Sequence, residues 1–441
     1  MAARLTAGAA GALGRRKGEA GRAADNAAVV RMILEKARAA GKLSVGELAR
    51  LAGVSRTWRA VVAEVMANSV VELHGSDIRI HAFASFVQSL RQGRLPNLRN
   101  LDLNLSDITD DAAVALAGVV ATNKSIDELN LGGNDLTPVA LVAITNALKR
   151  NTTITSVDLG GNVLAEVGGI ALAETFRTNR AIHTLKLGAN EIRGMGLSAL
   201  GRSLTENPTV TSIHLAGNDV GIMGVTAVCG LLTLNAVLRE LHLWNNDVGD
   251  GDGCASIANA LKVNESLRLL NLEMNGVRAN GARALAGALM VNKSLRTLSL
   301  YGNTIGPDGA AALAEGLAMN SSLEALDLSG NYIRAEGARA IAAALTANTS
   351  VHTLNLVVNE IGDEGLIVLA ELLAANTGIH TLKLQRNGIG TKSACAITQL
   401  LEANATIRVI ELCTTEIADE GAEVLSNQIR LGRVSLVGDQ D

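Results

Sequence analysis

LRTLSLYGNTIGPDGAAALAEGLAMNSS, residues Leu295–Ser322, is one turn of a phrase that recurs along most of this chain. Leu295, Leu298 and Leu300 alternate with Thr297, Ser299 and Tyr301, the period of a short strand. Leu313 and Leu317 lie four apart in an alanine-rich stretch, the period of a helix. The phrase opens at Leu98, Ile126, Ile154, Ile182, Val210, Leu238, Leu267, Leu295, Leu323, Val351, Ile379 and Ile407, every 28 residues except one step of 29 after Leu238. Units of this size bury their apolar faces only by stacking on one another. The spacing therefore predicts an α/β solenoid coiled right-handed, with a parallel sheet on its concave face and helices on its convex face.

Three further columns address how each turn closes. The ninth position is Asn in every unit but the first and last, where Ser106 and Thr415 stand. A carboxamide carries donors and an acceptor and can satisfy backbone groups where the chain leaves the strand. A second Asn column, Asn123 to Asn404, ends each helix that leads into another unit, and a left-handed C-cap is expected there. Gly168, Gly196, Gly224, Gly253, Gly281, Gly309, Gly337, Gly365 and Gly421 form the third column, read as tight turns just before the helix.

With these columns the units resemble leucine-rich repeats of the ribonuclease-inhibitor subtype over residues 98–434. That subtype also occurs in Ran GTPase-activating proteins and in the sensor region of NOD-like receptors. The resemblance implies a protein-binding concave face and, as an alternative, a Ran-type GTPase activator. The closing VSLVGDQD is not the long acidic tail usual in the latter. No GxxxxGK[ST] accompanies the repeats, so a receptor's nucleotide-binding engine is not expected.

Residues 1–25 are rich in Ala, Gly and Arg and read as a disordered tail, with an organellar transit peptide as the alternative. Residues 26–66 leave the repeat and read as two or three short helices. Within them LARLAGVSRTWRAVVAE, Leu48–Glu64, resembles the second half of an F-box through Val54, Ser55, Trp58 and Arg59. The Leu-Pro pair that opens most F-boxes is replaced by Asn26-Ala27-Ala28. The resemblance implies a Skp-type adaptor of a cullin–RING ubiquitin ligase docked near Val29, Val54 and Trp58, making the repeats a substrate receptor. By its residues alone the block is a helical cap on the open edge of the solenoid. Residues 67–97 read as a leading half-repeat, with a strand near Val70–Leu73 and a helix over Ala82–Arg91, and 435–441 as a tail.

Composition narrows the function. Aromatics make up only 2% against 48% hydrophobic, which suits a thin, uniformly repeated interior of Leu, Ile, Val and Ala. A net charge of −4 without a basic, aromatic-laced stripe argues against nucleic acid. No apolar run is long enough to span a membrane, and reduced, dispersed cysteines point to a cytoplasmic protein. HExxH, GxSxG and CxxC are missing, so no enzyme and no cofactor are expected. His214 and His242 share a strand column in adjacent units. A metal there would need another ligand such as Glu240 or Asn271, and a plain surface ladder with no metal is the expectation. GDGDG at 249–253 lacks the closing Glu of a calcium loop and reads as an exposed turn.

The concave face carries the remaining information. The two positions after the last strand leucine are small in units two to five (Gly132-Gly133, Gly160-Gly161, Gly188-Ala189, Ala216-Gly217) and then enlarge. They become Trp244-Asn245, Glu273-Met274 and Tyr301-Gly302, and later Val357-Val358 and Gln385-Arg386. Scarce aromatics on an exposed sheet face mark a hot spot for a protein partner. The expected contact set is Glu240, His242, Trp244, Asn271, Glu273, Met274, Tyr301, Val357 and Arg386.

Overall fold

The computed structural model describes residues 71–74, 83–93, 95–414, 417 and 419–437. The N-terminal tail and the helical block, with Val29, Val54 and Trp58, lie outside these residues.

Strand and helix alternate from one repeat to the next. By its internal packing the chain divides into two compact units. One, ending at Leu164 but taking in Thr178–Lys186, holds parallel strands β1 (Val71–His74), β2 (Leu98–Asp102), β3 (Glu128–Asn130), β4 (Ser156–Asp158) and β5 (Thr184–Lys186). The other comprises Ala165–Arg177 and everything from Leu187. Its strands are β6 (Ser212–His214), β7 (Glu240–His242), β8 (Leu269–Asn271), β9 (Thr297–Ser299), β10 (Ala325–Asp327), β11 (Thr353–Asn355), β12 (Thr381–Lys383), β13 (Val409–Cys413) and β14 (Val434–Val437). Each pairs in parallel with the next, and from β6 to β13 equivalent repeat positions stand opposite each other. Strand β14 extends past the expected end of the repeats at 434.

The phrase explains the layering. Leu298 and Leu300 point inward from the strand side and Leu313 and Leu317 from the helix Gly306–Met319, all fully buried, so this turn is closed by four leucines. The ninth-column Asn then satisfies the backbone. Asn303 Nδ2 donates to the carbonyls of Leu272 and Leu300 at 3.0 and 2.8 Å, and its Oδ1 accepts from the N–H groups of Asn275 and Val277 at 3.0 and 2.9 Å. Three of these partners belong to the preceding turn, so one buried side chain stitches two repeats together.

The other two columns work differently from the sequence expectation. The helix-ending Asn residues are extended, not left-handed: Asn264 has φ −79° and ψ 128°, Asn320 φ −84° and ψ 137°. Their side chains do the capping. Asn292 donates to the carbonyls of Leu261 and Asn264 at 2.7 and 2.9 Å and accepts from Ser294 and Leu295 N–H at 2.9 and 2.8 Å. The third-column glycines sit inside the first helical turn and are selected by lack of space. A Cβ on Gly309 would lie 2.6 Å from Ile305 Cγ2 and 3.1 Å from Ala279 Cα of the previous helix. Left-handed backbone falls instead on the eighth, tenth and twelfth columns, the eighth at Gly133, Gly161, Gly217, Gly302 and Gly330 with φ between 60° and 65°.

Helix starts are capped from the neighbouring turn. Asp250 Oδ1 accepts from the N–H groups of Arg278 and Gly281 at 2.8 and 2.7 Å, giving the GDGDG segment a structural job. Asp363 does the same for the helix Thr391–Ala403 through Gly390 and Ser393. Among the described residues no helix is long and apolar enough to cross a membrane.

Candidate functional site

In the second unit the outward positions of β6 to β14 and of the two residues after each strand form one strand face. Beyond each strand the ladder persists: Asn245 N–H donates to Glu273 O and Met274 N–H to Tyr301 O, both at 2.9 Å. This carries Trp244, Met274 and Tyr301 forward on three successive turns, about 4.8 Å apart per step. They are 42%, 41% and 39% exposed, so none is core. Met274 and Tyr301 each lean over the glycine of the following turn: a Cβ on Gly302 would meet Met274 Cγ at 3.0 Å, and one on Gly330 would meet Tyr301 Cε2 at 3.3 Å. Small neighbours thus give the large side chains a shelf.

Around these anchors stand the polar groups. Glu240 is exposed, whereas His242, Asn271 and Glu273 are half-buried. Glu273 Oε1 accepts from Ser299 Oγ at 2.6 Å, which orients its carboxylate. Val357 and Arg386 lie two and three turns beyond Tyr301. Of the valine pair, the exposed member is Val358, and Val357 is half-buried.

The backbone adds a signal that the sequence reading missed. The eighth column is left-handed in units that lack glycine too: Asn245 (φ 53°), Met274 (49°), Val358 (54°) and Arg386 (57°). A non-glycine residue there costs on the order of 1 kcal/mol, and a β-branched one more. Val358 and Met274 are held in this conformation with side chains exposed, a cost that core packing does not offset. Leu105 (φ 50°, 76% exposed) belongs to the same column and was also missed, as was Tyr332 (φ 55°, 51% exposed) two positions further on in its repeat. The repeated glycine of this column was the legible clue.

The titratable groups near the face are arranged in pairs. The His214 and His242 rings stack 3.9 Å apart at an interplanar angle of 10°. Ser212 Oγ donates to Glu240 Oε2 at 2.8 Å and stands 3.3 Å from His214 Nε2. His352 and His380 meet edge-on at 4.9 Å, and burial, His352 and Arg408 hold the His380 pKa below 6.5. Arg239, Arg268 and Arg296 direct their guanidinium groups onto the carbonyls of Ser266, Ser294 and Ser322, which close their own repeats, at 2.9, 2.7 and 2.9 Å, a structural use of charge. All four cysteines are free thiols. Burial pushes Cys229 up to about 11, and burial with the nearby Asp250 carboxylate pushes Cys254 up to about 12, so neither is a ready nucleophile.

Comparisons with known proteins agree with this geometry. The family pattern described as Leucine Rich repeat matches residues 94–117, 122–144, 150–173, 206–229, 263–286, 291–314, 320–342 and 347–370. No curated protein matches the chain. Among solved structures, a chain of the Rad7 and Elc1 complex in yeast is 17% identical with a TM-score of 0.52, over 94% of each chain. The leucine-rich repeat-containing protein LegL7 from Legionella pneumophila is 21% identical with a TM-score of 0.47, over 69% of this chain and 97% of that one. At such identities the likeness is one of fold.

Proposed function

We propose that this chain, a leucine-rich-repeat protein, is a non-enzymatic scaffold that holds a protein partner against the strand face of its sixth to eighth repeats. The supporting observation is the run of exposed large side chains, Trp244, Met274 and Tyr301, on three consecutive turns of the strand face. Rigid, pre-ordered anchors of this kind lower the ordering cost of association. Glu240, His242, Asn271 and Glu273 supply the polar surround, and Val357 and Arg386 extend the contact. Several carboxylates are taken up in helix caps and inter-strand bonds, which favours a scaffold over an enzyme.

The test is affinity capture from native lysate with the full chain, followed by quantitative binding of the recovered partner. Trp244→Ala should weaken binding by roughly 2–4 kcal/mol without lowering thermal stability. Affinity insensitive to Trp244 and Tyr301 yet lost on changing the helix-side residue Glu315 would refute the assignment.

A second reading adds an adaptor at the N-terminal block. Its support is the Val54-Ser55-x-x-Trp58-Arg59 motif, together with a fold neighbour solved as a complex of two proteins. Co-purification of a Skp-type adaptor with the wild type, and its loss with Val29→Asp, would support an F-box-type substrate receptor. Absence of the adaptor from both would leave the block as a cap.

A further inference from the structure

We propose that His214, Glu240 and His242 form a binding site for a transition-metal dication of the zinc class on the strand face. The three side chains come from the facing strands β6 and β7, where Ser212 stands opposite Glu240 and His214 opposite His242. One nitrogen or oxygen of each lies within 4.8 Å of the other two. Bonds of about 2.0–2.2 Å to a tetrahedral ion need donor atoms about 3.3 Å apart. Rotation of side chains on a fixed backbone closes that difference, and the two rings tilt out of their 10° stack to bring the ion into both planes.

Two features distinguish the cluster from an ordinary surface ladder. In six other repeats the same column holds Asn or Asp, whose oxygen accepts from the N–H two residues on: Asp102, Asn130, Asp158, Asn271, Asp327 and Asn355. Imidazoles replace that motif in two adjacent turns, one of which carries Glu240 two positions before its histidine. Ser212, itself buried, also orients that carboxylate by hydrogen bonding, the arrangement that outer-shell partners of metal ligands adopt. Two imidazole nitrogens with one carboxylate suit zinc and its neighbours and do not suit calcium or magnesium. The remaining coordination position faces solvent beside the exposed Glu240.

The experiment titrates the full chain, freed of metal by chelation, with Zn²⁺ alone against a competing chromogenic chelator. The wild type should take up one ion, and His214→Ala, His242→Ala and Glu240→Gln should each weaken binding by roughly tenfold or more. Ser212→Ala should weaken it by about tenfold, whereas His352→Ala should have no effect. Metal-free thermal unfolding of each variant checks that the fold is intact. The proposal is overturned if the wild type binds no zinc at micromolar concentration, or if the double variant His214→Ala/His242→Ala binds it as tightly. No partner enters this measurement, so its result is independent of the scaffold assignment.

Discussion

Asn303 shows what one residue contributes to a repeat. Its carboxamide is almost completely buried and bonded at both ends to backbone groups of two turns. Replacing it with Ala leaves several of those groups unpaired away from water. The expected cost is about 1–3 kcal/mol, measured by denaturant unfolding against exposed Lys293→Ala as control. A loss no larger than that of the control would mean that water replaces the side chain at no cost. The amide, not the backbone conformation, is what the position requires, because neighbouring left-handed sites accept Met and Arg.

At the scale of an element, the helices are placed by small residues and by carboxylates from the turn before. A Cβ on Gly365 would sit 2.6 Å from Ile361 Cγ2 and 2.8 Å from Ala335 Cα. Gly365→Ala therefore forces the helix Gly362–Leu373 away from its neighbour despite the better intrinsic helix propensity of Ala, and a loss of roughly 1–3 kcal/mol is expected in thermal unfolding. Unchanged stability would show that the helices yield freely. Asp363 acts across the same boundary. Burial raises its pKa, but the Ser393 hydroxyl and the Gly390 and Ser393 N–H groups outweigh this and leave it below 3.8. The folded state thus binds this proton less well than the unfolded one. The stabilisation is present above pH 3.8 and is lost as the pH falls through the lower folded-state value. Asp363→Ala should remove about 0.5–2 kcal/mol at neutral pH and flatten that acid-side loss. An identical acid limb in wild type and variant would assign the loss to other carboxylates.

At the scale of the molecule, within each unit helices pack on the next helix and strands pair with the next strand, so stability there is a sum of nearest-neighbour terms. Deleting whole repeats from the C-terminal side should lower the denaturation midpoint in steps. The last strand among the described residues, β14, is paired with β13 along Ile410–Cys413 and covers its edge, so removing β14 alone should cost more than its length suggests. A midpoint that stays constant until one deletion abolishes folding would point to a single long-range nucleus instead.

What the amino-acid order determined by itself was the period, the alternation of strand and helix, the inward leucines and the positions of both asparagine columns. These rest on periodicity along the chain, local within a turn for strand, helix and leucines and repeated from turn to turn for the period and the columns. Only the tertiary structure decided why those residues stand there. The partners of Asn303 lie up to 31 residues away, and the glycines of the third column are dictated by the surface of the previous helix. The left-handed eighth column and the ring stacking of His214 on His242, whose shared column was legible in the sequence, have the same origin. Each is set by the spacing between stacked turns, a distance that no one repeat contains.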